Sequence, residues 1–137
     1  MEKLAINFLC FFSTIFVNGQ TTSDCNLDTI FNVSFREDWE KDSLGTLGLR
    51  KKYYNKIFVN ERGLKRDLPI LNLSKECIEI YLGTPNIYLD IKGKKTQSAT
   101  YYLSLSWISP EKNDFEGIVL EIEYCNGKIV FYHVFIT

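Results

Sequence analysis

Gly117-Ile118-Val119-Leu120-Glu121-Ile122-Glu123-Tyr124-Cys125-Asn126-Gly127-Lys128-Ile129-Val130-Phe131-Tyr132-His133-Val134-Phe135 is the stretch that decides the fold. Two apolar-rich runs flank Asn126-Gly127. Asn-Gly supplies the two positive-φ residues that a tight type I′ hairpin needs. Strands over 117–125 and 128–137 follow. A two-residue loop sets the register, so Tyr124 faces Ile129, Ile122 faces Phe131, Leu120 faces His133 and Ile118 faces Phe135. That row is apolar except for His133, and it is the face that helices would cover. The opposite face carries Val119, Glu121, Glu123 and Cys125 with Val130, Tyr132 and Val134, a mixed surface of the kind that meets solvent or a partner.

Upstream, residues 98–108 alternate, with Tyr101, Leu103, Leu105 and Trp107 on one side and Thr100, Tyr102, Ser104 and Ser106 on the other. A shorter strand is expected over 87–91, a turn over 92–95 and a polar loop over 109–116. Ser74, Glu76, Gly83 and Pro85 bracket a short helix over 75–82: a serine N-cap, an acid at the positive end, a glycine stop and a proline that prevents continuation. Its core stripe is Ile78, Tyr81 and Leu82. Leu49, Tyr53 and Ile57 recur at helical spacing and predict a longer helix over 47–60. Residues 20–46 read as an irregular lead-in, with Ile30, Val33 and Phe35 alternating as in an edge strand or a docked arm. The fold class is therefore α+β: two helices packed on one face of an antiparallel three- to four-stranded meander sheet, in two layers, with the domain over 47–137.

The N-terminus addresses the chain. Lys3 precedes an apolar stretch of about fourteen residues, Leu4 to Val17, and Val17-Asn18-Gly19 has the layout of a cleavage site. A transmembrane helix needs about twenty residues. Residues 1–19 are read as a cleavable signal peptide, which makes the protein exported, periplasmic or extracellular, with no stable membrane span after cleavage. Cleavage removes one acid and one base, Glu2 and Lys3, so the net charge stays at −1. That balance argues against nucleic acid, which selects a basic excess. Charge is nonetheless segregated. Arg50, Lys51, Lys52, Lys56, Arg62, Lys65 and Arg66 face only Glu61 over 50–66, whereas acids dominate from Asp24 to Asp42.

Cys25, Cys77 and Cys125 remain after cleavage. One disulfide and one free thiol is the expectation for an oxidising compartment, with three pairings open. A Cys3His zinc site with His133 lacks paired spacing. No Gly-rich phosphate loop, nucleophile elbow or metal motif occurs, and no cofactor is expected. His133 with a cysteine would be the core of a hydrolase. Glu121 and Glu123 alternate on one strand face, where paired acids can work together. Each of these has a plain structural counterpart, a hydrogen-bonded histidine and a solvated strand. Asn32-Val33-Ser34 and Asn72-Leu73-Ser74 match the glycosylation acceptor pattern.

Asn72-Leu73-Ser74-Lys75-Glu76-Cys77-Ile78-Glu79-Ile80-Tyr81-Leu82-Gly83-Thr84-Pro85-Asn86 resembles the Gly-Met-Ser…Val…Leu-Leu-Gly-x-Pro signature of the BamE (SmpA/OmlA) family. The strand around Tyr101-Tyr102 and the terminal hairpin are similar to that family's later strands, so the resemblance covers about residues 70–137. Asn72 stands where the family has Gly. Cys10 and Cys25 lack the context of a lipid-attachment cysteine. The resemblance implies an exported protein-binding module whose partner is another envelope or secreted protein. The candidate surface for it is the outer sheet face (Glu121, Glu123, Val130, Tyr132) or a basic helix side (Arg50, Lys51, Lys56), whose plain counterpart is a solvated face. The other readings are a secreted enzyme using His133 with a cysteine and an envelope ligand-binding protein with a cleft between helices and sheet.

Overall fold

A computed structural model describes residues 25–90, 95–112 and 114–137. The signal peptide expected over 1–19 and most of the turn expected over 92–95 lie outside the described residues.

Helix α1 spans Val33–Lys41. The Asn32 side chain caps it by accepting from the Phe35 N–H at 3.0 Å. Phe31, Phe35 and Trp39 recur every fourth residue and are all buried. Their rings lie 4.8 and 5.0 Å apart in sequence order. This helix occupies the segment read as irregular, and its aromatic row belongs to the main core together with Leu27. The alternation of Ile30, Val33 and Phe35 was misleading, since Val33 is 60% exposed.

The helix expected over 47–60 does not form as such. Gly45 and Gly48 take positive φ of 70° and 79°, and the buried Asp42 carboxylate accepts from the N–H groups of Leu47 at 2.9 Å and Arg50 at 3.1 Å. The chain is thereby looped back onto the sheet. Only a π-helical turn, Tyr54–Phe58, follows. Its Ile57 and Phe58 still reach the core, so the apolar side was legible where the helix was not.

Helix α2, Lys75–Leu82, matches the expected limits, with Ser74 Oγ accepting from Cys77 N–H at 3.1 Å and Gly83 at φ 68° ending it. Strands β1 (Ile87–Asp90), β2 (Thr96–Ser109), β3 (Asp114–Cys125) and β4 (Lys128–Ile136) form one antiparallel sheet in the order β1-β2-β3-β4. The order is that of a meander, and the fold is a two-layer α+β arrangement. A 3-10 turn, Pro110–Lys112, shortens the expected loop between β2 and β3. The disulfide Cys25–Cys77 ties the start of the described chain to α2.

The β3–β4 register begins as expected, with Cys125 opposite Lys128 and Tyr124 opposite Ile129. It then slips by one: Glu123 faces Phe131, Ile122 faces Tyr132, Glu121 faces His133 and Leu120 faces Val134. The extra residue is Val130. A one-residue slip moves every later side chain to the other face. Tyr132 therefore points into the core, at 3% exposure, and His133 points out. The anchor for this slip is the Tyr132 hydroxyl, which accepts from Leu68 N–H at 2.6 Å and donates to the Arg66 carbonyl at 3.0 Å.

Tyr124 offers the contrast. Its hydroxyl is buried and finds no hydrogen-bond partner among the described residues, and burial pushes its pKa up. An unpaired buried hydroxyl costs stability, whereas a satisfied one contributes. Tyr132→Phe is expected to lower unfolding free energy by about 1–3 kcal/mol. Tyr124→Phe is expected to leave it unchanged or raise it by up to about 1 kcal/mol. Urea melts of the two variants check the sign of each change.

Candidate functional site

The helices cover the sheet face that carries Tyr101, Leu120, Ile122, Tyr124, Ile129 and Tyr132. On the other face, β3 presents Glu121 and Glu123. Opposite Glu123, Glu121 and Val119, β4 presents Phe131, His133 and Phe135. The His133 ring lies 4.7 Å from Phe135, stacked, and 5.1 Å from Phe131. All three are half-buried, and His133 Nδ1 is buried with no hydrogen-bond partner among the described residues. Val119 and Cys125 on this face are buried outright. The result is an aromatic stripe along the edge strand β4, flanked on its inner side by two carboxylates of β3.

Of the residues expected on this face, Glu121 and Glu123 are there. Val130 is the bulged residue, half-buried, and Tyr132 belongs to the core. Phe131, His133 and Phe135 replace them. Their alternation is plain in the sequence, but the unslipped register assigned it to the covered side.

The thiol–imidazole dyad is overturned by the cysteines. Cys77 is bonded to Cys25, and no cysteine among the described residues is free, which also corrects the expected free thiol. The bulge does bring His133 and Cys125 to the same face. They remain four residues apart along the sheet, about 14 Å. The Cys25–Cys77 bond likewise removes two ligands from the zinc arrangement, and no group of His, Cys, Asp and Glu among the described residues could hold a metal.

The basic side divides. Lys51 and Lys56 are exposed. Lys52 pairs with Asp38, which also accepts from the Tyr53 hydroxyl at 2.6 Å. The hydrogen bonds from Lys52 and Tyr53 hold the Asp38 carboxyl below the usual carboxylate range, and the Asp38 bond raises Lys52.

Arg50 is no surface cation. It is 3% exposed and its guanidinium lies 4.2 Å from the Trp39 ring centre. Nε donates to the Trp39 carbonyl at 2.8 Å, and Nη1 donates to the Tyr102 carbonyl at 3.1 Å and to Asn86 Oδ1 at 3.5 Å. Desolvation lowers its pKa to about 10. Arg50 thus ties α1 to β2 and to the loop after α2. Nothing local in the sequence distinguishes it from Lys51 and Lys52.

A groove of about 650 Å³ runs between α1 and the C-terminal end of α2, with Trp39, Tyr81, Leu82 and Arg50 among its walls. A cleft was expected between helices and sheet; this one lies between the helices. A second groove of about 390 Å³ has Lys56, Arg66 and Asp67 on its rim.

Comparison with protein-family models, with curated proteins and with solved structures finds no match for this chain.

Proposed function

We propose that this protein is an exported, BamE-like binding module that docks another envelope or secreted protein through its outer sheet face. The observation behind this reading is the stripe Phe131–His133–Phe135 on the side of the sheet away from both helices, bordered by Glu121 and Glu123. Aromatic residues dominate the energetics of protein interfaces, and a partly exposed aromatic row beside charged groups is the kind of surface that serves as one. The resemblance over residues 70–137 supports the same class. Export is supported by the apolar stretch Leu4 to Val17 with its small-residue exit. The internal disulfide is compatible with an oxidising compartment. No helix among the described residues is long and apolar enough to cross a membrane.

The test is crosslinked affinity purification of the tagged protein from fractionated cells, comparing wild type with Glu121→Lys/Phe135→Ser. Both positions lie outside the helix-covered core. The double variant is expected to stay folded and to lose at least nine-tenths of its captured partner, because hot-spot aromatics dominate binding. An unchanged partner set from a folded variant would remove this face from the proposal.

A further inference from the structure

Arg50 is a buried cation that makes no salt bridge among the described residues, although the buried Asp42 carboxylate nearby favours its charged form. The salt bridges among the described residues are Lys52–Asp38 and Lys75–Glu79. The nearby Asp42 carboxylate is taken up by the backbone N–H groups of Leu47 and Arg50 rather than by the guanidinium. All three acceptors that Arg50 does reach are neutral: two peptide carbonyls and the Asn86 amide. Nη2 has no acceptor among the described residues. Buried arginines are nearly always paired directly; Arg50 is compensated only through space by Asp42, and its Nη2, without such an acceptor, is not sealed from solvent. Arg50 also lines the groove between α1 and α2.

That groove has a ligand's dimensions. Its volume of about 650 Å³ falls in the range of small-molecule sites, roughly 300–1,000 Å³. Trp39, Tyr81 and Leu82 give it an apolar floor, and Val33 and Ile80 border it at 60% and 64% exposure. Ser43 and Thr84 add hydroxyl groups. Arg36, 5.8 Å from the Tyr81 ring centre, is a second cation, but Glu37 and Glu40 share the wall with it. Two acids there disfavour a multiply charged phosphate. A single negative charge on an apolar body fits both the unpaired Nη2 and the floor.

We propose that the groove between α1 and the end of α2 binds a monocarboxylate with an apolar body, its carboxylate on Arg50 Nη2 and its chain along Trp39, Tyr81 and Leu82. This site is separate from the sheet face proposed to dock a protein, and either can fail without the other. Nε and Nη1 hold the guanidinium in place, so the donor is preorganised and loses little freedom on binding. A charge-assisted hydrogen bond then adds to apolar burial.

Substituting Arg50 itself would also untie α1 from β2, so the informative substitution is Ile80→Glu, at an exposed rim position. The probe is octanoate, titrated into the full exported chain and followed by 1H–15N NMR, with octanol and octyltrimethylammonium as matched controls. Octanoate is expected to give saturable shifts at the Arg50 Nε–H and at the Ser43, Gly83 and Thr84 amides. Octanol should bind at least about tenfold more weakly, as loss of a hydrogen bond to a charged group implies. Ile80→Glu should keep a folded spectrum, weaken octanoate several-fold and leave octyltrimethylammonium no weaker. No saturable shift at these positions would overturn the proposal. So would equal binding of octanol, or octanoate affinity unchanged by Ile80→Glu.

Discussion

Trp39→Ala is expected to destabilise the protein by about 3–5 kcal/mol, the cost of emptying a buried Trp site. Set against a typical total of about 5–15 kcal/mol, that is roughly a third or more of the stability of an average domain. Trp39 is 2% exposed. Its ring stacks on Phe35 at 5.0 Å and packs near Phe58 and Tyr101. Its indole N–H donates to the Leu82 carbonyl at 2.9 Å, joining α1 to the end of α2. Alanine would open a cavity and take away the ring beneath the Arg50 guanidinium. Trp39→Phe should cost less, about 1–2 kcal/mol, because it keeps most of the apolar volume and loses mainly the Leu82 bond. Urea denaturation of both variants gives the comparison. A loss below about 1 kcal/mol for Trp39→Ala, the range of ordinary surface substitutions, would mean that α1 is a loosely docked arm rather than part of the core.

How far the sequence revealed this fold depended on how local each cause was. Helix α2 was legible because Ser74, Gly83 and Pro85 are start and stop chemistry within the segment itself. The terminal hairpin was legible because Asn126 and Gly127 supply the positive φ that the turn requires, 51° and 73°. Helix α1 carried its own signals, the Asn32 cap and the fourfold spacing of Phe31, Phe35 and Trp39, but a competing alternation overlay them. The longer predicted helix lost to tertiary demand: Arg50 and Asp42 draw residues 42–50 inward through partners distant in sequence, such as Tyr102. The bulge at Val130 was hidden for the same reason. The groups that fix Tyr132, Leu68 N–H and the Arg66 carbonyl, lie 64 and 66 residues upstream. Half of the proposed sheet surface followed from strand parity alone, Glu121 and Glu123. The aromatic half did not, because parity after a bulge is reversed.

Removing the Cys25–Cys77 bond by a double alanine substitution is expected to cost about 4 kcal/mol, the loop-closure value for a cross-link of this span. The two cysteines are 52 residues apart, and the loop they close holds α1, the π-helical turn and the start of α2. The corresponding fall in melting temperature is on the order of 10–15 °C for a domain of this size. Two mechanisms can produce such a loss, and they leave different traces. If the bond acts by restricting the unfolded chain, its removal exposes more surface on unfolding and the urea m-value rises. Hydrogen-exchange protection then falls by a common amount in the most protected amides of α1, α2 and the sheet. If the bond acts as a local clasp, residues 25–31 fray first and the sheet keeps its protection. The native contacts favour the first outcome. Leu27 N–H donates to the Tyr81 hydroxyl at 2.9 Å, that hydroxyl donates to Asp28 at 3.2 Å, and Leu27 and Phe31 are buried in the core. These hold the segment in place without sulfur. The uniform fall in protection is therefore the expected result, and selective fraying of residues 25–31 would show that the bond, not the aromatic packing, docks the start of the chain.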